Sequence, residues 1–186
     1  MKTQILAGLI LCTSPLWADT PPATPSLLTN PGFEEDTQGW VAAPSDTAAK
    51  LSTVIPAAAR TGKAGLRVTQ ADGGPGSWFQ SSRAPVEAGK SYRLQFWART
   101  LKTSGVGVWV QFFDDDHHEV KGATPNLAVQ VQQDSADWAS YPLDIVVPAG
   151  ATSMTVAVHC YSKRPTFADF DDFSITPIAA TTPAAL

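Results

Sequence analysis

The chain has 186 residues, a length that suits one domain with a real core and falls short of two of ordinary size. Hydrophobic residues make up 44% and charged residues 16%, a globular balance. A formal net charge of -4 and a pI near 5.2 argue against nucleic acid, whose phosphates demand clustered lysine and arginine, and no such cluster stands out along the sequence.

Residues 1–18 read as a secretory signal: Lys2 in a short polar start, an apolar run from Ile5 to Cys12, then Thr13-Ser14-Pro15-Leu16-Trp17-Ala18 as the cleavage region. The apolar run is too short to span a bilayer. Leu11 before Cys12 is bulky where lipoprotein signals carry a small residue, which argues against lipidation. The protein is expected to be exported, to the medium or the periplasm, as a monomer without a membrane span. Cleavage after Ala18 leaves Cys160 without a partner, so stability is expected from packing or a bound ion. Cys160 shares the apolar side of its segment with Met154, Val156 and Val158 and is expected to be a buried thiol.

Residues 19–26, rich in Pro and Thr, read as a tether, and the folded unit is expected over 27–176. Asn30-Pro31-Gly32 makes a turn ahead of Phe33, and Trp40 is expected to pack beneath this segment. Short apolar or alternating runs follow at Lys50–Ile55, Gly65–Thr69, Ser77–Ser82, Tyr92–Thr100, Gly105–Phe113, Leu127–Gln132, Ala139–Val147, Ser153–Tyr161 and Phe167–Thr176. Nearly every gap holds Gly, Pro, Asp or Asn, and no window sustains an apolar 3.6-residue period. This spacing predicts an all-β jelly-roll β-sandwich of two antiparallel sheets, with 177–186 as a frayed tail.

Side-chain alternation then sorts the faces. Tyr92, Leu94, Phe96 and Ala98 fall on one side of their run, with Arg93, Gln95, Trp97 and Arg99 on the other. Val106, Val108, Val110 and Phe112 share a side in the next run, opposite Trp109, Gln111 and Phe113. These two runs are expected to pair as a hairpin, giving a common outer face with two indoles. His159 and Tyr161 are placed on that face from a third strand, and Trp78 at its edge after a Gly-rich loop. For Trp97 and Trp109 the alternative is a second small core beneath a loop, and for Trp78 a structural role.

Four stretches carry a resemblance: Leu28-Thr29-Asn30-Pro31-Gly32-Phe33-Glu34; the run from Ala88 to Arg99; Trp138-Ala139-Ser140-Tyr141 with Val147-Pro148-Ala149-Gly150-Ala151; and Asp171-Asp172-Phe173-Ser174-Ile175. In this order they resemble carbohydrate-binding modules of families four, nine and twenty-two, the kind appended to bacterial cellulases and xylanases. The resemblance covers residues 27–176. It implies a galactose-binding-type jelly roll whose concave sheet holds a glycan against aromatic rings, and a structural calcium ion near the chain termini. A hard cation wants several oxygens. The resemblance favours Glu34 and Asp172, with Asp171 second; the alternative is that the Asp pair solvates a strand edge.

Sugar rings offer C–H groups on one face and hydroxyls at the rim, so recognition needs flat aromatics and directional polar groups. Gln95, Trp97, Arg99, Trp109, Gln111, His159 and Tyr161, with Trp78, make such a set. No Asp or Glu falls among them, whereas glycoside hydrolysis uses two carboxyl groups about 5 to 9.5 Å apart. The expected function is therefore non-catalytic binding of a polysaccharide or oligosaccharide. One alternative is a jelly-roll polysaccharide lyase working with Arg99, Gln111, His159 and Tyr161. Another is an envelope or adhesion domain that docks a protein. Asp114-Asp115-Asp116-His117-His118-Glu119 invites a metal-site reading, but adjacent ligands do not converge, and the run is read as a turn.

Overall fold

The computed structural model describes residues 25–103, 105–121, 127–131 and 134–179. The expected signal segment, residues 19–24 of the tether and residues 180–186 of the tail lie outside them. Eleven strands are found among the described residues: β1 Trp40–Ala42, β2 Ser52–Ile55, β3 Gly65–Gln70, β4 Phe79–Ser81, β5 Ala84–Pro85, β6 Ser91–Thr103, β7 Val106–Phe113, β8 Leu127–Val131, β9 Ser135–Val146, β10 Ser153–Cys160 and β11 Thr166–Pro177. A six-residue helix α1, Pro44–Ala49, joins β1 to β2. All nine predicted runs are strands. The short β1, β5 and α1 carry too few residues to show a period.

The strands form a jelly-roll sandwich. The front sheet runs β1-β4-β10-β7-β8, with β5 also paired to β10, and the back sheet runs β2-β3-β11-β6-β9. Every pairing between these strands is antiparallel.

One expectation fails here. β6 and β7 do not form a hairpin: β6 pairs with β9 and β11 in the back sheet, and β7 with β8 and β10 in the front sheet. A short link permits pairing without enforcing it. An apolar strand face must be buried against another layer, and crossing between layers turns both apolar faces toward one core. Leu94, Phe96 and Ala98 of β6 and Val106, Val108 and Val110 of β7 all lie in that core, with Val156 and Val158 of β10 and Phe170 of β11. The alternation was therefore sound within each strand and wrong about the strands' relation.

The N-terminal segment closes one end of the core. Asn30 accepts the Glu35 N–H on its side-chain oxygen and donates its amide to the carbonyls of Asp36 and Gln38. This fixes a loop in which Phe33 sits at φ 57°, unusual for a bulky residue. Its fully buried ring packs 5.0 Å from Trp40 and 5.9 Å from Phe173. Trp40 also donates its indole N–H to the Asn30 carbonyl, so it packs under this segment as expected. Ser26 belongs to the fold rather than the tether, because its hydroxyl oxygen accepts the N–H groups of Leu28 and Ile175.

Cys160 is buried and unpaired among the described residues, and burial pushes its thiol above the usual range. Its Sγ accepts the Ser77 N–H at 3.3 Å, and its own N–H donates to the Ser77 hydroxyl. These bonds tie the start of β4 to the end of β10. No helix among the described residues is long and apolar enough to cross a membrane.

Candidate functional site

The front sheet's outer face is built from the side chains that β4, β7, β8 and β10 turn away from the core. None of the front-sheet strands contains Asp, Glu, Lys or Arg. Cross-strand register places Trp109 between Ala157 and Ala128, and Gly107 between His159 and Gln130. Small residues flank each ring, leaving a trough rather than a filled layer.

Glycine makes the ring positions possible. A Cβ on Gly107 would lie 2.9 Å from the Trp109 indole and 2.7 Å from the Val129 carbonyl, and one on Gly105 would lie 2.7 Å from the Tyr161 ring. Both rings thus rest over backbone that only glycine leaves bare. His159 stands at the centre, with centroids 5.0 Å from Trp109, 5.1 Å from Tyr161 and 5.3 Å from Trp78. Tyr161 meets Trp109 edge-on at 5.5 Å. Such tilted pairs add to stability beyond area burial and hold the rings in fixed orientation. His159 Nδ1 faces the Ser77 carbonyl, which selects the tautomer that donates from Nδ1 and leaves Nε2 the acceptor in the neutral ring.

Amides bracket the rings. Trp78 donates its indole N–H to Gln80 Oε1 at 2.9 Å, and Gln80 donates in turn to Thr155 Oγ1 at 2.7 Å. Gln130 donates to the Tyr161 hydroxyl at 3.1 Å. Gln111 lies opposite Thr155, one row from Trp109. Gln80 and Gln130 escaped the sequence reading although their parity could have found them, Gln80 two residues after Trp78 and Gln130 alternating with Val129 and Val131. Asp46 also escaped it. This fully buried carboxylate on α1 accepts the Trp78 N–H, the Ser52 N–H and the Ser52 hydroxyl, tying the start of β4 to the edge of the back sheet.

Five of the eight expected sugar contacts therefore share the front face: Trp78, Trp109, Gln111, His159 and Tyr161. Gln95, Trp97 and Arg99 do not join them, because β6 belongs to the back sheet and its outward side faces the other way. The lyase quartet is broken by the same fact, with Arg99 a whole sandwich away from Gln111, His159 and Tyr161.

On the back face the aromatic surfaces are already covered. The Arg60 guanidinium lies 3.6 Å over the Trp97 ring and pairs with Asp172 at 2.6 Å. Arg67 lies 4.6 Å over Phe167 and Arg99 4.9 Å over Trp138. Both arginines converge on the fully buried Asp169, at 2.7 and 2.9 Å. Gln95 donates to the Ser140 hydroxyl. Trp138, under Arg99, is a half-buried residue of the back face.

Glu34, Asp171 and Asp172 come together around Gly32, where a Cβ would meet Asp171 Oδ1 at 3.6 Å, Asp172 Oδ1 at 3.8 Å and Glu34 Cγ at 3.9 Å. Each already accepts protein donors. Asp171 takes the N–H groups of Arg60, Thr61 and Asp172, Asp172 takes Arg60 and the Thr61 hydroxyl, and Glu34 takes the Lys63 N–H. Burial pushes the Asp171 carboxyl up from 3.8 to about 6, against the pull of those three N–H donors. One guanidinium offsets the three carboxylates only in part, but among the described residues no group of three His, Cys, Asp or Glu side chains is placed to hold a metal ion. The Asp114–Glu119 run is a turn, as read: Asp114 Oδ1 accepts the His118 N–H, and Phe113 bridges to Glu119.

Comparison with known proteins agrees with this architecture. No curated protein sequence matches the chain. Among solved structures, the enzymatically active domain of tailspike protein 4 from bacteriophage CBA120 superposes with a TM-score of 0.64 at 16% identity, over 82% of this chain but only 21% of that one. A second carbohydrate-binding module of family 16 gives 0.59 at 16% identity, over 81% of this chain and 99% of that one. The CBM22-1 xylan-binding domain of Paenibacillus barcinonensis Xyn10C gives 0.51 at 16% identity, over 81% and 93%. At these identities the likeness is one of fold. In sequence, the model of the carbohydrate-binding domain family that joins types 4 and 9 matches residues 25–165, from the first described residue to the turn before β11, and the chain belongs to that family.

Proposed function

We propose that this protein is a non-catalytic module that binds a polysaccharide or oligosaccharide along the front-sheet trough. One observation carries the reading: an uncharged sheet face on which Trp109, His159, Tyr161 and Trp78 pack into one cluster edged by glutamine amides. Indole and phenol faces take the C–H side of a pyranose ring, and the amides and the imidazole take hydroxyls at its rim. Hydrolysis would need paired carboxyl groups across the trough, and the front strands carry none.

Two further elements complete the proposal. Residues 1–18 direct export, outside the cell or into the periplasm. A structural calcium ion is held among Glu34, Asp171 and Asp172, where it balances their excess negative charge and ties the N-terminal loop to β11. Chelation is then expected to lower the melting temperature, and an unchanged melting temperature would remove the ion from the account.

Affinity gel electrophoresis on a panel of soluble polysaccharides tests the binding role. Retardation on at least one glycan, weakened roughly tenfold or more by Trp109→Ala in a folded protein, is the expected outcome. Failure of every glycan, or retardation indifferent to Trp109, would overturn it.

A further inference from the structure

The chain from β4 to β5 carries one residue more than the strand beside it. From Gln80 to Ala84 it advances four residues, while their partners on β10, Ala157 and Met154, are three apart. The extra residue is a bulge, which bends a strand and re-aims a side chain. Its gap in the ladder is closed from within, because the Ser81 hydroxyl oxygen accepts the Val156 N–H. The bulge sends Arg83 out across β10, where its guanidinium lies 4.4 Å over the Phe113 ring.

Phe113 belongs to the same outward face as the trough. Along β7 it alternates with Gln111 and Trp109, and register sets Phe113 beside Ser153, Gln111 beside Thr155 and Trp109 beside Ala157. Four residues of strand put Phe113 about 14 Å from Trp109, with Gln111 midway. Glu119 bridges to Phe113 from the other side, and directly opposed residues project to one face, so an exposed carboxylate stands beyond the ring. Arg83 differs from the arginines of the back face. Arg60, Arg67 and Arg99 also cover rings, but each is anchored by an aspartate. Arg83 makes no ion pair and no side-chain hydrogen bond among the described residues, and nearby Asp114 is occupied by His118. Its N–H donors are therefore held flat over a ring and left unspent.

We propose that Arg83 is a distal contact of the glycan site, donating to hydroxyls of a neutral sugar residue about 14 Å along the chain from Trp109, with Glu119 accepting in the same row. This rests on the trough being the glycan site. The planar fork of a guanidinium matches two neighbouring hydroxyl oxygens, and hydrogen bonds from a charged donor are the stronger ones. Glu119 and the acidic turn Asp114-Asp115-Asp116 disfavour a carboxylate or sulfate here, so the sugar is neutral. Phe113 does not meet the glycan, because Arg83 takes its face. It is a positioning residue that holds the fork outward. A short oligosaccharide then uses the aromatic cluster alone, and only a longer chain reaches Arg83.

The test titrates the full chain with fragments of soluble neutral polysaccharides, xylan among them, in two sizes: one shorter than about 14 Å and one well beyond it. Arg83→Ala is expected to weaken the long fragments roughly tenfold and leave the short ones within about twofold, whereas Trp109→Ala weakens both. Phe113→Leu should lose part of the long-fragment affinity and Phe113→Tyr should keep it, since an aromatic face is what holds the guanidinium. Arg83 is exposed and its side chain bonds nothing in the fold, so its variant stays folded and decides the case. Unchanged long-fragment affinity in Arg83→Ala, or equal loss at both lengths, overturns the proposal and leaves the trough reading intact if Trp109→Ala still abolishes binding. Failure of every neutral fragment overturns it as well. Failure of every glycan, or binding indifferent to Trp109, sinks both.

Discussion

The two outer faces of the sandwich are made from the same residue types and do opposite things. On the back, three aromatic rings lie under three arginines, and each arginine is paired with an aspartate: Trp97 under Arg60, Phe167 under Arg67, Trp138 under Arg99. On the front, the Trp78, Trp109, His159 and Tyr161 rings touch one another and amides and the strands hold no charge, while an arginine, Arg83, lies over the Phe113 ring at the far end of β7. An indole whose face is taken by a guanidinium is no longer offered to a ligand. A lone outward tryptophan therefore says little until its neighbours are known; the presence or absence of an internal cation separates a finished surface from an open one.

Breaking the back face should cost the most. Asp169→Ala leaves Arg67 and Arg99 facing each other without their shared counter-ion and is expected to lower unfolding free energy by about 3–5 kcal/mol, read by urea titration. Glycan binding by the remaining folded fraction should be unchanged. On the front, Gly107→Ala puts a methyl group 2.9 Å from the Trp109 ring and should weaken glycan affinity severalfold, about 1 kcal/mol, by calorimetric titration.

A separate effect distinguishes the faces by pH. Asp171 holds its proton up to about 6 in the folded protein against an ordinary 3.8, so the folded state binds the proton more tightly. Its contribution is then fully present below about 4 and falls away as pH rises through about 6. In chelator, the melting temperature of the protein relative to Asp171→Asn should decline across that window, and glycan affinity should not follow it. The smallest effect is expected from Arg60→Ala, which uncovers Trp97. It should shift tryptophan emission, cost no more than about 1 kcal/mol and leave glycan affinity within roughly twofold.

Much of this was legible in the sequence. Alternation put Phe96, Val108 and Val156 inside and Trp97, Trp109 and His159 outside, and nine strands were bounded within a few residues, because a period of two survives in any pleated strand. Which strands are neighbours was not legible. The short link from β6 to β7 looks like a hairpin, and only burial of two apolar faces against each other sends the strands to different layers. That one step carried Gln95, Trp97 and Arg99 away from the trough. Gln80 and Gln130 could be placed outward by parity alone, and only their cross-strand bonds to Thr155 and Tyr161 depend on strand order. A further signal was present: the front strands lack charged residues altogether, while β3, β6, β9 and β11 carry them.

The most direct measurement is a glycan titration of the protein with nitrogen-15-labelled indoles, followed by nuclear magnetic resonance. The account predicts that the indole N–H signals of Trp109 and Trp78 shift with saturation, while those of Trp97, Trp138 and Trp40 stay in place. Movement of Trp97 and Trp138 with Trp109 and Trp78 unmoved would put the sugar on the arginine-covered back face and contradict it.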